Sequence, residues 1–375
     1  MQTTHQQEAL SSRPIMDGHK LPWHYDRLQA WLRGERIAPV LVDMALTQAC
    51  QLNCSFCYAK LQRNEGHKIT RPIIYAFLED CAKMGVGAVS FLSDGESTLS
   101  PVFCHTIERA TELGITTALG TNAVHYTEEM RERTLPHLRY IRINCPAGTP
   151  EDYAEVTGTS AKVFDRVCHN VAEMVKLKRK GELNVHLSLQ LVLMPQNSHH
   201  LIPFVVLAKE LGVDAAIIKH CADDENSTLG ISYAQYKDLT PLLKAAESLA
   251  GPGFDVQVMW SKMMHGDKRT YQRCYGPPFL LQISGSGLVA TCGDKFAPQY
   301  ERFQLGNICT ERFYDIWQSE RYGQVMDYLA KEFNAQTECG PLCRHHKVNE
   351  ALDNHLKGIA EVEEATTWTP NSEFL

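Results

Sequence analysis

Hydrophobic positions recur with two periods that alternate along most of the chain. Six short apolar runs, which have the length and content of buried strands, are predicted at residues 40–46, 88–92, 116–119, 140–143, 185–193 and 215–219. Between them, apolar residues spaced three and four apart predict amphipathic helices at residues 72–84, 101–113, 127–138, 161–180 and 199–211. Gly85, Gly114, Gly181 and Gly212 follow four of these helices, where helix C-caps favour glycine.

This alternation predicts the fold class. Strands that alternate with helices form a parallel α/β sheet, because each helix returns the chain so that the next strand runs in the same direction. A barrel and an open doubly wound sheet both fit the pattern. In either case, active residues are expected at the carboxyl ends of the strands.

The two ends of the chain depart from the pattern. We predict a polar lead with one short helix at residues 1–39, the α/β core at residues 40–253, and a smaller α+β unit at residues 254–375. A helix at residues 233–249 and a Gly-Pro-Gly break precede the last boundary. Beyond it, a Gly-rich turn between two short apolar runs predicts a β-hairpin at residues 283–292.

Composition narrows the class of protein. A chain of 375 residues with 44% hydrophobic content can bury one large core and a second, smaller one. The net charge of -7 argues against a dedicated surface for nucleic acid or anionic membrane. The first residues lack the build of a signal peptide, and no apolar run has the length of a membrane span. We therefore expect a cytoplasmic protein with no nucleic-acid or membrane partner.

Three cysteines, Cys50, Cys54 and Cys57, follow the first predicted strand within eight residues. Thiolates on one loop are soft ligands suited to an iron-sulfur cluster or to zinc. The next cysteine, Cys81, lies inside a predicted helix, so no fourth ligand follows nearby. A cluster with three protein ligands leaves one iron open to a substrate or cofactor. The alternatives are a chance spacing or a structural zinc site.

The spacing Cys-x3-Cys-x2-Cys, with Phe56 before the last cysteine, resembles the signature of the radical S-adenosylmethionine superfamily. In that family the three cysteines hold a 4Fe-4S cluster, and S-adenosylmethionine chelates the fourth iron before its cleavage to a 5'-deoxyadenosyl radical. The resemblance implies that Cys50, Cys54 and Cys57 are the ligands and that Phe56 lies near the adenine. It also favours a partial (β/α)6 TIM-like barrel over the open sheet.

The resemblance extends to the ends of other strands. Gly95 and Glu96 match the family's Gly-Gly-Glu stretch, which holds the methionine ammonium, although Asp94 replaces its first glycine. Asn144 stands where relatives carry a serine that contacts the ribose. Ser188, a polar residue in the apolar fifth strand, is a candidate for lining the cofactor site or for packing in the core.

Reactive side chains end the sixth predicted strand. Lys219, His220 and Cys221 are expected on the substrate side, since charged groups at a barrel rim are typical of sites. Cys221 is also a candidate hydrogen-atom donor. Cys145, the other candidate donor, is expected to pack as a small hydrophobic residue.

Four cysteines of the C-terminal unit, Cys274, Cys292, Cys339 and Cys343, form a second candidate metal site. Four thiolates complete either an iron-sulfur or a zinc site. Their spacing around the hairpin resembles the SPASM domain that accompanies many radical S-adenosylmethionine enzymes. A complete SPASM domain has seven cysteines, so the resemblance implies one auxiliary 4Fe-4S cluster, as in the shortened Twitch variant. Cys309 is expected to pack rather than to bind iron.

These features together predict a radical S-adenosylmethionine enzyme with an auxiliary cluster that takes or relays an electron. We expect a reductase partner such as flavodoxin or ferredoxin. Because only about forty residues precede the first strand, we expect a small polar metabolite as substrate, such as a sugar or nucleoside intermediate, which is dehydrogenated, epimerised or decarboxylated. The alternatives are a peptide-modifying maturase and, from another class, an iron-sulfur electron-transfer or zinc-stabilised binding protein.

Overall fold

A single sheet of ten strands forms the centre of the molecule. The computed structural model describes residues 18–265, 268–341, 343–367, 369 and 371–375; the predicted lead before residue 18 lies outside them. The strands are β1 Leu41–Met44, β2 Ala88–Phe91, β3 Thr116–Thr121, β4 Leu138–Asn144, β5 His186–Leu193, β6 Ala215–His220, β7 Asp255–Val258, β8 Leu280–Ile283, β9 Leu288–Ala290 and β10 Gln304–Asn307.

The sheet confirms the predicted parallel α/β class and extends it. Its order is β10-β9-β8-β1-β2-β3-β4-β5-β6-β7, and every pair from β8 through β1 to β7 is parallel. β9 and β10 are antiparallel additions at one edge. The six predicted strands lie together as a partial barrel, with β7 added beside β6 and β8 beside β1.

Twelve α-helices occur in the described part of the chain. They are α1 Tyr25–Leu32, α2 Arg71–Met84, α3 Phe103–Glu112, α4 Glu128–Thr134, α5 Pro150–Thr157, α6 Ala161–Lys180, α7 Leu201–Leu211, α8 Thr240–Glu247, α9 Trp260–His265, α10 Phe313–Gln318, α11 Glu320–Lys331 and α12 His346–Leu356. Short 3-10 segments occur as well; Pro195–His200 and Tyr58–Gln62 bear on the site. None of the described helices is long and apolar enough to cross a membrane.

The helix ends follow the predicted glycine rule with one exception. Gly85 and Gly212 adopt left-handed conformations, with φ of 79° and 73°, which residues with a Cβ rarely adopt. Gly181 has φ of -94°, and the next residue, Glu182, takes the positive φ of 49° instead. The chain therefore turns one residue later after α6 than the sequence predicts.

The two faces of the sheet pack differently. Strand residues such as Val42, Leu119 and Ile141 join one large core with the helices that connect the parallel strands. Residues of the opposite parity, including Leu41 and Tyr140, pack on a smaller core that α1, α12 and the last described residues complete. Successive side chains of a strand point to opposite faces of the sheet. On the second face, the polar residues lie together near the carboxyl ends of the strands.

The division at residues 253 and 254 stays a prediction. β7 follows that boundary and pairs with β6, and β8 pairs with β1 from Leu41↔Leu280 to Met44↔Ile283. The hairpin of the C-terminal part is therefore continuous with the core sheet, next to the strand that leads into the first three cysteines.

Candidate iron-sulfur and cofactor site

The first three cysteines lie on the loop that follows β1. Cys50 is exposed, and Cys54 and Cys57 are half-buried. The loop is held from below by α5, whose last carbonyls accept hydrogen bonds from the backbone N–H groups of Asn53 and Ser55, both at 2.9 Å. Helix C-terminal carbonyls have no partner within the helix, so the loop satisfies them while the helix fixes the loop.

The three thiols influence one another. Burial, followed by the neighbouring Cys57 and Cys50, raises the pKa of Cys54 to about 12. Burial is also the largest cause of the raised pKa of Cys50. The thiols of Cys50 and Cys54 therefore keep their protons when no metal is bound, and a metal must displace those protons to bind.

The sulfur atoms of the two cysteine sets are not gathered into a compact group of three in the described part of the chain. All 13 cysteines lie among the described residues. Within that part of the chain, the only group of three metal-binding side chains whose ligand atoms all lie within 4.8 Å of one another contains no cysteine. Zinc with Zn–S distances of about 2.3 Å would hold its sulfur ligands about 3.8 Å apart. No three sulfur atoms of either set lie within 4.8 Å of one another among the described residues, and a 4Fe-4S cluster, which is larger than a single ion, does not require such a close approach.

Glu96 organises the strand ends behind Cys50. Its buried carboxylate accepts hydrogen bonds from Thr98, from the Thr121 hydroxyl at 2.8 Å and from the Asn122 N–H at 2.7 Å. The Asn122 amide in turn lies 3.7 Å from the Cys50 sulfur. Its predicted contact with the methionine ammonium stays a prediction; in this structure Glu96 positions Asn122.

Gly95 can only be glycine in this structure. Its φ is +73°, and a Cβ there would lie 2.0 Å from the carbonyl oxygen of Thr47. The adjacent N–H of Glu96 donates to the Ala49 carbonyl at 2.8 Å. The backbone of this turn therefore lies against the residues that immediately precede Cys50.

Asp94, which replaces the family's first glycine, has a side-chain function as well. Its carboxylate accepts hydrogen bonds from the Ser284 hydroxyl at 2.7 Å and the Gly285 N–H at 2.8 Å, both in the β8–β9 hairpin turn. Burial raises its pKa, and these hydrogen bonds oppose the shift. A Cβ on Gly285 would lie 2.1 Å from the Thr47 backbone, so the hairpin turn also packs directly on the chain before Cys50.

The two candidate cofactor residues on β4 and β5, Asn144 and Ser188, lie at different positions along the strands. Asn144, at the carboxyl end of β4, accepts a hydrogen bond from Gln190 at 2.6 Å, and the pair lies on the polar face. Ser188 is fully buried in the first half of β5, and its hydroxyl donates to the Ile141 carbonyl at 3.2 Å. The structure therefore brings Asn144 to the carboxyl edge and leaves Ser188 within the sheet.

The three candidates at the end of β6 do not share a face. Lys219 lies opposite Val192 in the register of β5 and β6. Val192 is two residues after Gln190, which lies opposite Asn144, so all four side chains point to the same, polar face of the sheet. Cys221 places its sulfur 3.8 Å from the Phe56 carbonyl, beside the cysteine loop. His220 alternates to the opposite face and is buried there. The role of these three residues on the substrate side stays a prediction, and strand alternation directs His220 to the face opposite that of Lys219.

Four cysteines of the C-terminal part affect one another's pKa, and their role as cluster ligands stays a prediction. Burial raises the pKa of Cys274 most, and the neighbouring thiols of Cys343 and Cys339 raise it further. Burial and then Asp294 raise the pKa of Cys292, to which Cys339 and Cys343 also contribute. Cys309 lies apart from them, with its sulfur 3.7 Å from the Ser286 carbonyl, and burial alone accounts for its raised pKa.

Sequence analysis missed two asparagines that contact cysteine sulfur. Asn122 approaches Cys50, and the fully buried Asn349 places its amide 3.6 Å from Cys274 and 3.9 Å from Cys343. Asn122 lies in a Gly-Thr-Asn turn that resembles a family motif, which is a usable signal. Asn349 is 75 positions from Cys274, and nothing in the sequence points to it.

Comparisons with known proteins agree with this arrangement. Residues 44–207 match the family described as Radical SAM superfamily, and residues 274–345 match SPASM, described as an iron-sulfur cluster-binding domain. The AdoMet-dependent heme synthase of Methanosarcina barkeri is 22% identical over 83% of this chain and 90% of its own. The PqqA peptide cyclase of Rhodopseudomonas palustris is 29% identical over 57% of this chain and 56% of its own.

Solved structures show the same fold. Streptococcus suis SuiB bound to precursor peptide SuiA aligns with 100% of this chain and 87% of its own, with a TM-score of 0.62 and 16% identity. The structure of anSMEcpe with AdoMet and the Kp18Cys peptide covers 85% of this chain and 99% of its own, with a TM-score of 0.56 and 14% identity. With both domains matched, the chain belongs to the radical S-adenosylmethionine superfamily, as a member with a SPASM iron-sulfur domain, and has the 4Fe-4S, S-adenosylmethionine and auxiliary iron-sulfur sites of that class.

Proposed function

We propose that this enzyme modifies a peptide by abstracting a hydrogen atom from one of its carbon atoms. The observation that carries the proposal is the match of both domains to proteins that act on peptides: the chain resembles a PqqA peptide cyclase and aligns throughout with SuiB in a precursor-peptide complex. Because a heme synthase matches a larger share of the chain, family membership alone does not determine the substrate.

The comparisons favour the peptide alternative over the small polar metabolite that the short N-terminal segment suggested. The peptide-bound anSMEcpe chain is matched over 99% of its length by 85% of this chain. A protein of this size therefore has room for a peptide without an added domain. The length of the segment before β1 does not decide the class of substrate, because the site lies at the open carboxyl edge of the sheet.

The residues have proposed roles that follow from their positions. Cys50, Cys54 and Cys57 would hold the first cluster, and Cys274, Cys292, Cys339 and Cys343 would hold one auxiliary cluster. When bound, the first cluster and S-adenosylmethionine supply one-electron cleavage of the sulfonium and hydrogen abstraction from an unactivated carbon. A flavodoxin or ferredoxin type of reductase is the proposed electron source.

Other side chains are proposed to position the cofactor. Gly95 gives the close backbone approach, Asn144 lies at the rim for the ribose, and Phe56, within the cysteine loop, is the proposed contact for the adenine. Glu96 acts by fixing Asn122 against Cys50.

Lys219 is the proposed contact for a carboxylate of the substrate. Burial lowers its pKa, and the nearby positive charges of Arg142 and Arg344 lower it further. An acidic side chain or the C-terminal carboxylate of a peptide would offset this repulsion when it binds on the same face.

Cys221 is the proposed hydrogen-atom donor if the reaction inverts a peptide α-carbon. Burial raises its pKa to about 12, so the sulfur retains its hydrogen at neutral pH. Its place beside the Phe56 carbonyl puts that hydrogen close to the cysteine loop.

The test compares two substrate classes under one assay. The anaerobically reconstituted enzyme, with iron and sulfide counted, is given S-adenosylmethionine, dithionite and either short peptides encoded beside its gene or a panel of sugars and nucleosides. We expect formation of 5'-deoxyadenosine to rise above the substrate-free rate only with a peptide, whose mass changes in the same sample.

Lys219→Met tests the proposed contact with a substrate carboxylate. Lys244→Met, on the exposed side of α8, is its matched control. The former should raise KM for an acidic peptide, and the latter should leave it unchanged. A rise with a sugar or nucleoside and none with any peptide would refute the peptide proposal. A loaded enzyme that never forms 5'-deoxyadenosine would contradict the reaction class itself.

A further inference from the structure

Two consecutive histidines and an aspartate converge behind the cysteine loop. The possible ligand atoms of Asp152, His199 and His200 all lie within 4.8 Å of one another. Asp152 is in the first turn of α5, and the histidines end the 3-10 segment Pro195–His200 that follows β5. Three ligand atoms from two separate segments therefore meet at one point.

His200 is the buried member of the group. It is 2% exposed, and neither ring nitrogen has a hydrogen-bond partner among the described residues. The Pro146 carbonyl lies near the ring without meeting hydrogen-bond geometry. A buried imidazole whose nitrogen atoms make no hydrogen bond destabilises the folded state, and a bound metal ion would give those nitrogen atoms a partner.

The distance between His200 and Asp152 suits two ligands of one ion. The His200 Nε2 lies 3.7 Å from the Asp152 Oδ1, too far for a hydrogen bond. Two ligands about 2.0–2.1 Å from a tetrahedral zinc ion lie about 3.3–3.4 Å apart, which requires only a small closure. The His199 and His200 rings, with centroids 4.1 Å apart, approach the same point.

The donor set specifies the class of metal. We propose that Asp152, His199 and His200 bind a first-row divalent ion, zinc(II) or iron(II), at a site separate from both cysteine sets. Two imidazoles and one carboxylate are typical ligands for these ions. His199 is exposed and Asp152 is half-buried, so solvent reaches the site and can complete the coordination.

The position of the site gives the ion a structural effect. Asp152 belongs to α5, whose carbonyls at Val156 and Thr157 hold the cysteine loop. An ion that joins Asp152 to His199 and His200 would fasten α5 to the segment after β5. The loop that carries Cys50, Cys54 and Cys57 would thereby rest on a more rigid support.

The test measures metal directly. Untagged full-length protein with both cysteine sites fully loaded with iron is dialysed anaerobically against micromolar zinc(II), and zinc and iron are counted by mass spectrometry. We expect about one zinc per chain beyond any in the cluster sites, and an increase in Tm on zinc addition. Asp152→Asn and His199→Ala should lose both effects, with the iron content unchanged.

His125→Ala is the matched control, since His125 is exposed and lies outside the group. It should bind zinc as the wild type does. His199 is itself exposed, so its replacement leaves the fold intact. Equal zinc content in the wild type and His199→Ala would overturn the proposal, whether or not the enzyme is active on a peptide. A wild type that binds no zinc and holds no more iron than the two cysteine sets require would overturn it as well.

Discussion

The two cysteine sets are both candidate iron-sulfur sites, but they are assembled in different ways. Cys50, Cys54 and Cys57 lie within eight residues on one loop, with Cys50 exposed. The other four come from segments that begin at residue 274 and end at residue 343, and all four are partly shielded. The first set is local and open, as a site that admits a cofactor requires. The second depends on tertiary structure and has a complete ligand count.

Both sets nevertheless use an asparagine in the same way. Asn122 donates toward Cys50, while its Oδ1 accepts from the Val124 N–H at 3.0 Å. Asn349 donates toward Cys274, while its Oδ1 accepts from the N–H groups of Tyr275 and Gly276 at 2.7 Å. Each asparagine ties one sulfur to the backbone. The difference is in the support: a buried carboxylate, Glu96, fixes Asn122, whereas α12 carries Asn349.

The largest expected effect distinguishes the two cysteine sets by the step of the reaction that each supports. Cys54→Ala should abolish cleavage of S-adenosylmethionine, because the open iron is lost with its cluster. Cys292→Ala should retain cleavage without substrate but lose about four irons per chain and the modified product. Iron counts and 5'-deoxyadenosine measurements on both variants check this.

Cys309→Ala is the control, since Cys309 lies apart from the four. Its iron content and cleavage rate should equal those of the wild type. If Cys292→Ala removed cleavage as completely as Cys54→Ala does, the proposed division of labour would fail.

The asparagines give the next effect. Asn122→Ala should lower 5'-deoxyadenosine formation by about 10–100-fold, the usual loss when a partner of a metal ligand is removed. Asn349→Ala should instead leave two buried N–H groups unpaired and cost about 1–3 kcal/mol for each. Anaerobic assays and Tm measurements on the same samples compare them. Equal losses of activity without a change in Tm would contradict the distinction.

Asp94→Ala probes the contact between the two regions. We expect a loss of about 1–3 kcal/mol in stability, because the Gly285 N–H and the Ser284 hydroxyl lose a buried acceptor. The rate of cofactor cleavage should also fall, since the hairpin turn packs on the chain before Cys50. Asp327→Ala, which removes only an exposed ion pair with Lys331, should change Tm little. Matching Tm values for the two variants would count against this contact.

The last prediction concerns the pH dependence of stability, which the buried Lys20 affects. Burial, followed by the charges of Arg142 and Arg344, lowers the pKa of Lys20 to about 7 from 10.5. Between these values the unfolded chain binds more protons, so this lysine makes stability rise with pH, by up to about 1.4 kcal/mol per pH unit. Lys20→Met should show a smaller rise in Tm from pH 7 to pH 9. An identical pH profile would contradict the shift.

The core of the fold was predictable because its signals are local. The six strands and five helices follow from periodicity within short windows, and glycines mark several helix ends. β7, with the sequence Asp-Val-Gln-Val, is too short and too polar to stand out, and it is an edge strand. α5 is absent from the predicted helices although Thr149, Pro150 and two acidic residues give a helix-start signal, because its eight residues are too few for a clear helical period.

The site was predictable only where its chemistry lies in a short motif. The first three cysteines and Gly95 have that property. The opposite orientations of Lys219 and His220 follow from strand alternation once the strand is known to extend to His220. The contact of Asn349 with Cys274 depends on how α12 packs. It joins segments far apart in sequence, and no pattern within one segment encodes it.

The pairing of β1 with β8 also has a consequence for synthesis of the chain. β1 is made early, but Leu41 pairs with Leu280, which leaves the ribosome 239 residues later. Until then one edge of the first strand has open amide and carbonyl groups, which can pair with another chain. The hairpin of the iron-sulfur domain closes that edge. The sheet, and with it the structural support of the cysteine loop, is therefore completed late in the synthesis of the chain.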